Sequence, residues 1–178
     1  GEYSLISSKE YGRMDLDALL KALEATAVAT AIAEGESLFP WIESIHVLAI
    51  TLVVGTIMIV DLRLIGFASL DRAVSRLTRD VLPCTWAAFA IAAITGGLLF
   101  SSNASTYAHN IYFQAKLAFL LLAGINMMIF NLFSSRGSER WGASAAATPV
   151  PARIAGAVSL LVWIGVVTFG RWVGFTLH

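Results

Sequence analysis

The sequence carries little charge for its length. Of its 178 residues, 13% are charged and 57% are hydrophobic, whereas an ordinary soluble domain is about 25% charged and about 45–50% apolar. Lys116 is the only charged residue between Val81 and Ser135, and the segments 44–60 and 154–170 contain none. A soluble domain needs charge over its whole surface. This distribution therefore argues against a soluble enzyme, a nucleic-acid binder and a disordered chain.

Several signals of chemistry are also missing. The single cysteine, Cys84, excludes an intramolecular disulfide framework and a cysteine-rich metal site. The sequence contains no glycine-rich phosphate loop and no GxSxG, HExxH or CxxC motif. A formal net charge of zero gives no electrostatic reason to expect a nucleic acid as partner. These absences leave no enzymatic activity that can be assigned to the chain by itself.

Four long apolar stretches are present instead. A hydrocarbon core of about 30 Å needs roughly 20 apolar residues in a helix, and the stretches 41–60, 81–100, 112–133 and 153–176 meet this need. None of them alternates polar with apolar residues, as a strand of a membrane β-barrel does. The sequence therefore predicts an all-α integral membrane protein, a four-helix bundle formed by residues 39–178, with the lipid bilayer as its immediate partner.

Residues 1–38 predict an N-terminal amphipathic helix outside this bundle. Between Asp15 and Ala33 the leucines share one face of a helix, and the charged residues lie mostly elsewhere. The lack of a basic start argues against a cleaved signal peptide, so we expect a single helix lying on the outer leaflet. The polar residues 1–13 are interpreted as a flexible tail or as an addition before a natural start at Met14.

The linkers between the spans predict the orientation. The linker 101–111 has no lysine or arginine, whereas the linkers 61–80 and 134–151 are rich in arginine. The positive-inside rule places these two basic linkers in the cytoplasm. We therefore expect a multi-pass protein of a bacterial inner membrane with both termini in the periplasm. Asp61 and Arg63, beside the first basic linker, are expected to form part of an ion-pair and headgroup collar.

Polar residues within membrane spans are the best pointers to function. Consecutive spans cross the membrane in opposite directions. The starts of spans one and three and the end of span four therefore lie on the same side of the membrane. This side collects five candidate binding residues: Glu43, His46, His109, Lys116 and Arg171. His46 and His109 stand at similar depth on two helices, as a ligand pair for haem iron or copper would. Lys116 and Arg171 would bind the haem propionates, and Glu43 would orient His46. Four aromatic residues at span ends would wall the ring: Trp41, Tyr107, Tyr112 and Trp172.

The same residues have plain structural interpretations, which the sequence leaves open. His46 can simply bond a carbonyl or Glu43, and His109 can be an ordinary loop residue. Lys116 and Arg171 can extend to the outer headgroups, and aromatic residues at span ends form interfacial belts. The pair Gly96-Gly97 permits close contact between helices. His178 ends the given sequence and carries little weight.

The sequence contains the motifs FPWIESIH at Phe39–His46, DLRLIG at Asp61–Gly66 and GRW at Gly170–Trp172. These three motifs resemble those of a family of small bacterial inner-membrane proteins without an assigned function. The similarity extends over about Phe39–Phe175 and implies the four-helix fold. The sequence is also distantly similar to copper-resistance D-type membrane domains and to four-helix b-type cytochromes. That resemblance implies outer-side ligands for copper or haem at His46 and His109. Spans two and four contain no histidine, apart from His178 at the end of the sequence, so a second haem is not expected.

Three hypotheses follow. The first is an electron-transfer subunit of a larger redox complex, which binds one haem b through His46 and His109 with Lys116, Arg171 and Glu43 around it. The second is a copper-handling membrane protein that uses His46, His109 and Glu43. The third is a cofactor-free structural or accessory subunit. All three expect other membrane or periplasmic subunits, or further copies of the chain, as partners.

Overall fold

A computed structural model of the chain describes residues 14–67, 74–134 and 148–176. Every regular element in these residues is a helix. The helices are α1 (14–24), α2 (Ala27–Glu34), α3 (Leu38–Ile65), α4 (Val74–Ser102), α5 (Ala104–His109), α6 (Ile111–Ser134) and α7 (Val150–Thr176). The predicted all-α class with four long apolar helices is confirmed. Residues 1–13 and His178 lie outside the described part of the chain.

The four long helices are α3, α4, α6 and α7, and each is long and apolar enough to cross a membrane. At 1.5 Å per residue, the 28 residues of α3 extend about 42 Å, more than the hydrocarbon core requires. Large apolar side chains on their outer surfaces are exposed, among them Leu48, Leu121 and Leu161. Such a surface suits lipid and would be unfavourable in water. The protein is therefore a multi-pass membrane protein.

The helices pack in the order α4, α3, α7, α6. Backbone contacts join α3 to α4, α3 to α7, and α6 to α7. Between α4 and α6 the rings of Phe100 and Phe113 stack with their centroids 5.4 Å apart. Asn126 of α6 donates a hydrogen bond to the Ala155 carbonyl of α7 at 3.1 Å. We call the end of the bundle that holds His46 the histidine end, and the opposite end, which holds Asp61 and Arg63, the arginine end.

The N-terminal segment forms two helices, so the prediction of one helix over Asp15–Ala33 is wrong. The break lies at Ala25 and Thr26. Thr26 has an extended backbone (φ −68°, ψ 147°), and its hydroxyl accepts a hydrogen bond from the Ala29 amide at 3.3 Å, so it caps α2. A threonine that bonds the backbone in this way ends one helix and begins the next.

The segment between α4 and α6 places α5 across the histidine end. Glu24 at the end of α1 accepts a hydrogen bond from the Ser105 amide of α5 at 2.7 Å. Leu20 of α1 is buried, and α2 packs against α4. The helices α1, α2 and α5 therefore cover part of the histidine end.

The arginine end is closed by a short turn and by buried polar groups. Gly66 ends α3 in the left-handed conformation (φ 91°), and its amide donates to the carbonyls of Arg63 and Leu62. Arg63 is completely buried and donates to the Thr148 hydroxyl at 3.5 Å. Asp61 is 5% exposed. The expected headgroup collar is therefore wrong for these two residues, because both side chains lie inside the protein.

Candidate functional site

His46 follows Glu43 by three residues, about one turn of α3, and its side chain contacts α4. Its Nδ1 atom is 2.9 Å from the Oγ1 atom of Thr95. The Thr95 hydroxyl donates its proton to the Ile91 carbonyl at 2.7 Å. A hydroxyl has one proton, so Thr95 must accept from His46. The carbonyl of Ala92 is a second acceptor for the Thr95 hydroxyl, at 3.3 Å.

This network assigns the tautomer of the His46 imidazole. Because Nδ1 donates to Thr95, the neutral ring carries its proton on Nδ1 and a lone pair on Nε2. A hydrogen bond from one ring nitrogen is the usual way in which a protein orients a histidine that binds a metal through the other. The hydrogen bond thus leaves Nε2 as the unprotonated nitrogen of the ring.

Gly96 makes room for this imidazole. A Cβ atom at position 96 would lie 2.9 Å from Cε1 of His46, closer than side-chain contacts normally allow. At Gly97 a Cβ atom would meet nothing within 4 Å. The close helix contact predicted for Gly96-Gly97 is therefore specific to Gly96, where the ring of His46 packs against the backbone of α4.

Two further predicted residues lie close to His46. The Lys116 ammonium of α6 interacts electrostatically with the ring, and its side chain passes over Gly170 of α7, with Cδ 3.5 Å from where a Cβ atom would stand. Glu43 is close enough to Tyr107 of α5 to affect its ionisation: burial, and then the Glu43 carboxylate, raise the pKa of the Tyr107 phenol. Four helices, α3, α4, α5 and α6, therefore contribute side chains to one polar cluster, and Gly170 of α7 lies beside it.

His109 has partners of its own. Its Nδ1 atom lies 2.8 Å from the Ser105 carbonyl, so it donates there. Its Nε2 atom lies 3.6 Å from the Asp17 carboxylate of α1, and both side chains are about half exposed. This pair is an ion pair only when the imidazole is protonated, and at such exposure it contributes little to stability. The two histidines proposed as a ligand pair are thus engaged with different helices.

Arg171 and the aromatic residues occupy the edge of the same end. The Arg171 guanidinium lies 4.8 Å from the Phe175 ring centroid and is exposed. Tyr112 stacks on Trp172 at 6.0 Å, and Tyr107 contacts Phe100 and Phe113. Trp41 is exposed. Of the aromatic residues predicted to wall a ring, Tyr107 is linked to the polar cluster by its interaction with Glu43.

Sequence reasoning missed Thr95 as the partner of His46. The signal available was a hydroxyl residue within an otherwise apolar span, directly before Gly96-Gly97. A threonine in a membrane helix commonly bonds the preceding turn through its hydroxyl, so its presence alone does not indicate a partner on another helix. The site therefore combines a predicted histidine with a hydroxyl and a glycine that only the packing of α3 on α4 identifies.

The fold and the site define a class: a multi-pass helical membrane protein with a polar cluster between its helices at one end. The chain belongs to the family of unknown function DUF6644, which it matches over residues 31–176. No curated protein and no solved structure matched the chain. The predicted membership of a family without an assigned function is confirmed, whereas the similarity to copper-resistance domains and b-type cytochromes stays a prediction.

Proposed function

We propose that this protein is a membrane electron-transfer subunit that would hold one b-type haem at the histidine end through His46. The observation that carries the proposal is the hydrogen bond from His46 Nδ1 to Thr95, which leaves the Nε2 lone pair available. Haem supplies one-electron redox chemistry when it is bound. The protein residues supply the ligand and the electrostatic surroundings.

The donor set favours haem over a bare metal ion. Within residues 14–67, 74–134 and 148–176, no group of three or more His, Cys, Asp or Glu side chains is placed to hold a metal ion. A bare ion usually takes three or four protein ligands, whereas a porphyrin supplies four nitrogens itself and needs one imidazole. The copper hypothesis with His46, His109 and Glu43 would require these side chains to move together.

The surrounding residues have distinct roles in this proposal. Lys116, close to His46, and Arg171, at the exposed edge, would bind the propionates. Glu43 would act on the site through its electrostatic interaction with Tyr107. His109 would also hold the haem only if its Nε2 atom left Asp17.

The proposal includes a location. The arginine-rich linkers would lie in the cytoplasm of a bacterium, and the histidine end and both termini would face the periplasm. The covering helices α1, α2 and α5 would then be available to periplasmic or membrane subunits of a redox complex. A chain that binds no cofactor would instead be an accessory subunit that docks partners or further copies of itself through the same surface.

The test is the absorption spectrum of the protein purified in mild detergent from haem-replete cells, combined with elemental analysis. The proposal predicts about one haem per chain and a Soret band that shifts on reduction with dithionite. A colourless protein with bound copper would support the second hypothesis instead. A colourless protein without metal would leave only the accessory role.

A further inference from the structure

The leucines of α1 lie on one side of this helix. At about 3.6 residues per turn they fall within an arc of about 100°, which we call the leucine face: Leu16, Leu19, Leu20 and Leu23. Leu20, at one edge of the arc, is 7% exposed, whereas Leu19, at the other edge, is 68% exposed. The leucine face therefore begins against the protein and continues onto a surface that the described part of the chain leaves uncovered.

The charged residues of α1 lie outside the leucine face. Glu24 accepts the hydrogen bond from the backbone of α5, and Asp17 lies 3.6 Å from His109 of the same helix. Asp15 and Lys21 are exposed and carry opposite charges. The helix α1 thus has one side on the protein, one apolar side and one polar side whose two charges cancel.

The next helix places this surface beside the membrane-crossing part of the protein. The helix α2 packs against α4 and α3, both of which are long and apolar enough to cross a membrane. Its exposed positions before Glu34 are all apolar: Ala27, Val28, Ala31 and Ala33. A helix that is apolar all round and packs on membrane spans is suited to contact with lipid. Two residues separate α2 from α1, so the leucine face lies at the edge of the same lipid-facing surface.

We propose that the leucine face of α1 lies in the bilayer surface at the histidine end, so that α1 is an interfacial anchor. Helices of this kind bury an apolar face at the boundary of headgroups and acyl chains and keep their charges outside it. Because Glu24 and Asp17 contact α5 from the adjoining side, the lipid holds α1 and, through it, α5, which carries Tyr107 of the polar cluster.

The composition of the leucine face favours lipid over a protein partner. The centres of protein interfaces are enriched in aromatic residues, methionine and arginine, and leucine is under-represented among the residues that dominate their binding energy. Since the exposed charges of Asp15 and Lys21 cancel, the anchor needs no anionic headgroup. No step requires haem, so this proposal and the proposed function stand or fall separately.

The test measures the depth of single labelled cysteines in the full-length chain, in a Cys84→Ser background, reconstituted into phosphatidylcholine nanodiscs. Leu19→Cys lies on the leucine face and Lys21→Cys on the opposite side of α1; both positions are exposed. Each carries an environment-sensitive nitrobenzoxadiazole label. We expect lipids with a nitroxide on the acyl chain to quench most of the emission at position 19 and little at position 21, and dissolved iodide to have the reverse effect.

Two results would overturn the proposal. Equal quenching of positions 19 and 21 by the lipid nitroxide would place α1 in water. Protection of position 19 from both quenchers would show that a second copy of the chain covers the leucines. The pair Leu16→Cys and Ala18→Cys, again on opposite sides of α1, repeats the comparison in case a label at position 19 disturbs the helix.

The lipid composition tests the role of charge. We expect the quenching at position 19 to be unchanged when half of the phosphatidylcholine is replaced by phosphatidylglycerol, and unchanged by added salt. Quenching that appears only with the anionic lipid would contradict anchoring by the leucine face, because attraction to headgroup charge would then hold the helix.

Discussion

The Nδ1 atom of His46 lies 2.9 Å from the Oγ1 atom of Thr95, and this hydrogen bond joins α3 to α4 inside the bundle. Because the Thr95 hydroxyl already donates to Ile91, the bond has a fixed direction, from the ring to the hydroxyl. The same contact therefore anchors the side chain, selects its tautomer and leaves Nε2 without the proton. The packing of α3 on α4 thus determines which nitrogen of His46 carries the proton.

Substitution of Gly96 should disturb this arrangement, whereas substitution of its neighbour should not. Gly96→Ala would bring a methyl group to 2.9 Å from the His46 ring, so we expect a loss of about 1–3 kcal/mol of stability. Gly97→Ala meets open space and should be neutral or stabilising by up to about 1 kcal/mol. Thermal unfolding in detergent, followed by circular dichroism, measures both. A Gly96→Ala protein as stable as Gly97→Ala would contradict the packing of His46 on α4.

The hydrogen bond from the Ser105 amide to Glu24 should hold α1 on the histidine end. Glu24→Gln weakens a 2.7 Å bond to a charged acceptor, and Glu24→Ala removes it, at a cost of about 1–3 kcal/mol. We expect faster amide exchange and faster proteolysis in residues 14–34 of the Glu24→Ala protein. Asp15→Ala, an exposed carboxylate on the same helix, is the control. Equal protection in the two variants would show that α1 is held by other contacts.

Gly156 should be required for the close approach of α3 and α7. A Cβ atom there would lie 3.0 Å from both the Asp61 carbonyl oxygen and the Leu64 Cβ atom, and neither can yield without a shift of a helix. Gly156→Ala should therefore destabilise the protein by about 1–2 kcal/mol after the gain in helix propensity. Gly124→Ala, which meets nothing within 4 Å, is the matched control in the same unfolding assay. A stabilised Gly156→Ala protein would contradict this packing.

The orientation can be tested with single cysteines in a Cys84→Ser background. Asn103→Cys lies between α4 and α5, and Arg76→Cys lies near the start of α4; both positions are exposed. The positive-inside rule predicts that an impermeant maleimide labels position 103 in intact spheroplasts and position 76 only after permeabilisation. The reverse pattern would place the histidine end in the cytoplasm.

The long helices could be predicted because a membrane span leaves a strong signal in composition. All four predicted spans correspond to helices in the structure, which extend beyond the predicted ends, for example to Leu38 and Ile65 in α3. Sequence could not reveal that Thr26 divides the N-terminal segment, because a threonine cap and a threonine within a helix look alike without the backbone.

The candidate site was predictable only in part. The sequence predicts that Glu43, His46 and Lys116 lie at one end of the bundle, because the direction of each span fixes the depth of its residues in the membrane. Which way each side chain points depends on helix rotation, so sequence could not show that His109 contacts Asp17 or that His46 bonds Thr95. The burial of Asp61 and Arg63 was missed for the same reason, since charged residues at span ends normally reach the headgroups.

The most direct test of the account is the absorption spectrum of three proteins purified in parallel: the unaltered chain, His46→Ala and His109→Ala. All three should elute at the same volume in size exclusion and have the same helical circular dichroism. We expect a Soret band in the unaltered chain and in His109→Ala, and its loss in His46→Ala. A Soret band of full intensity in the folded His46→Ala protein would contradict His46 as the haem ligand.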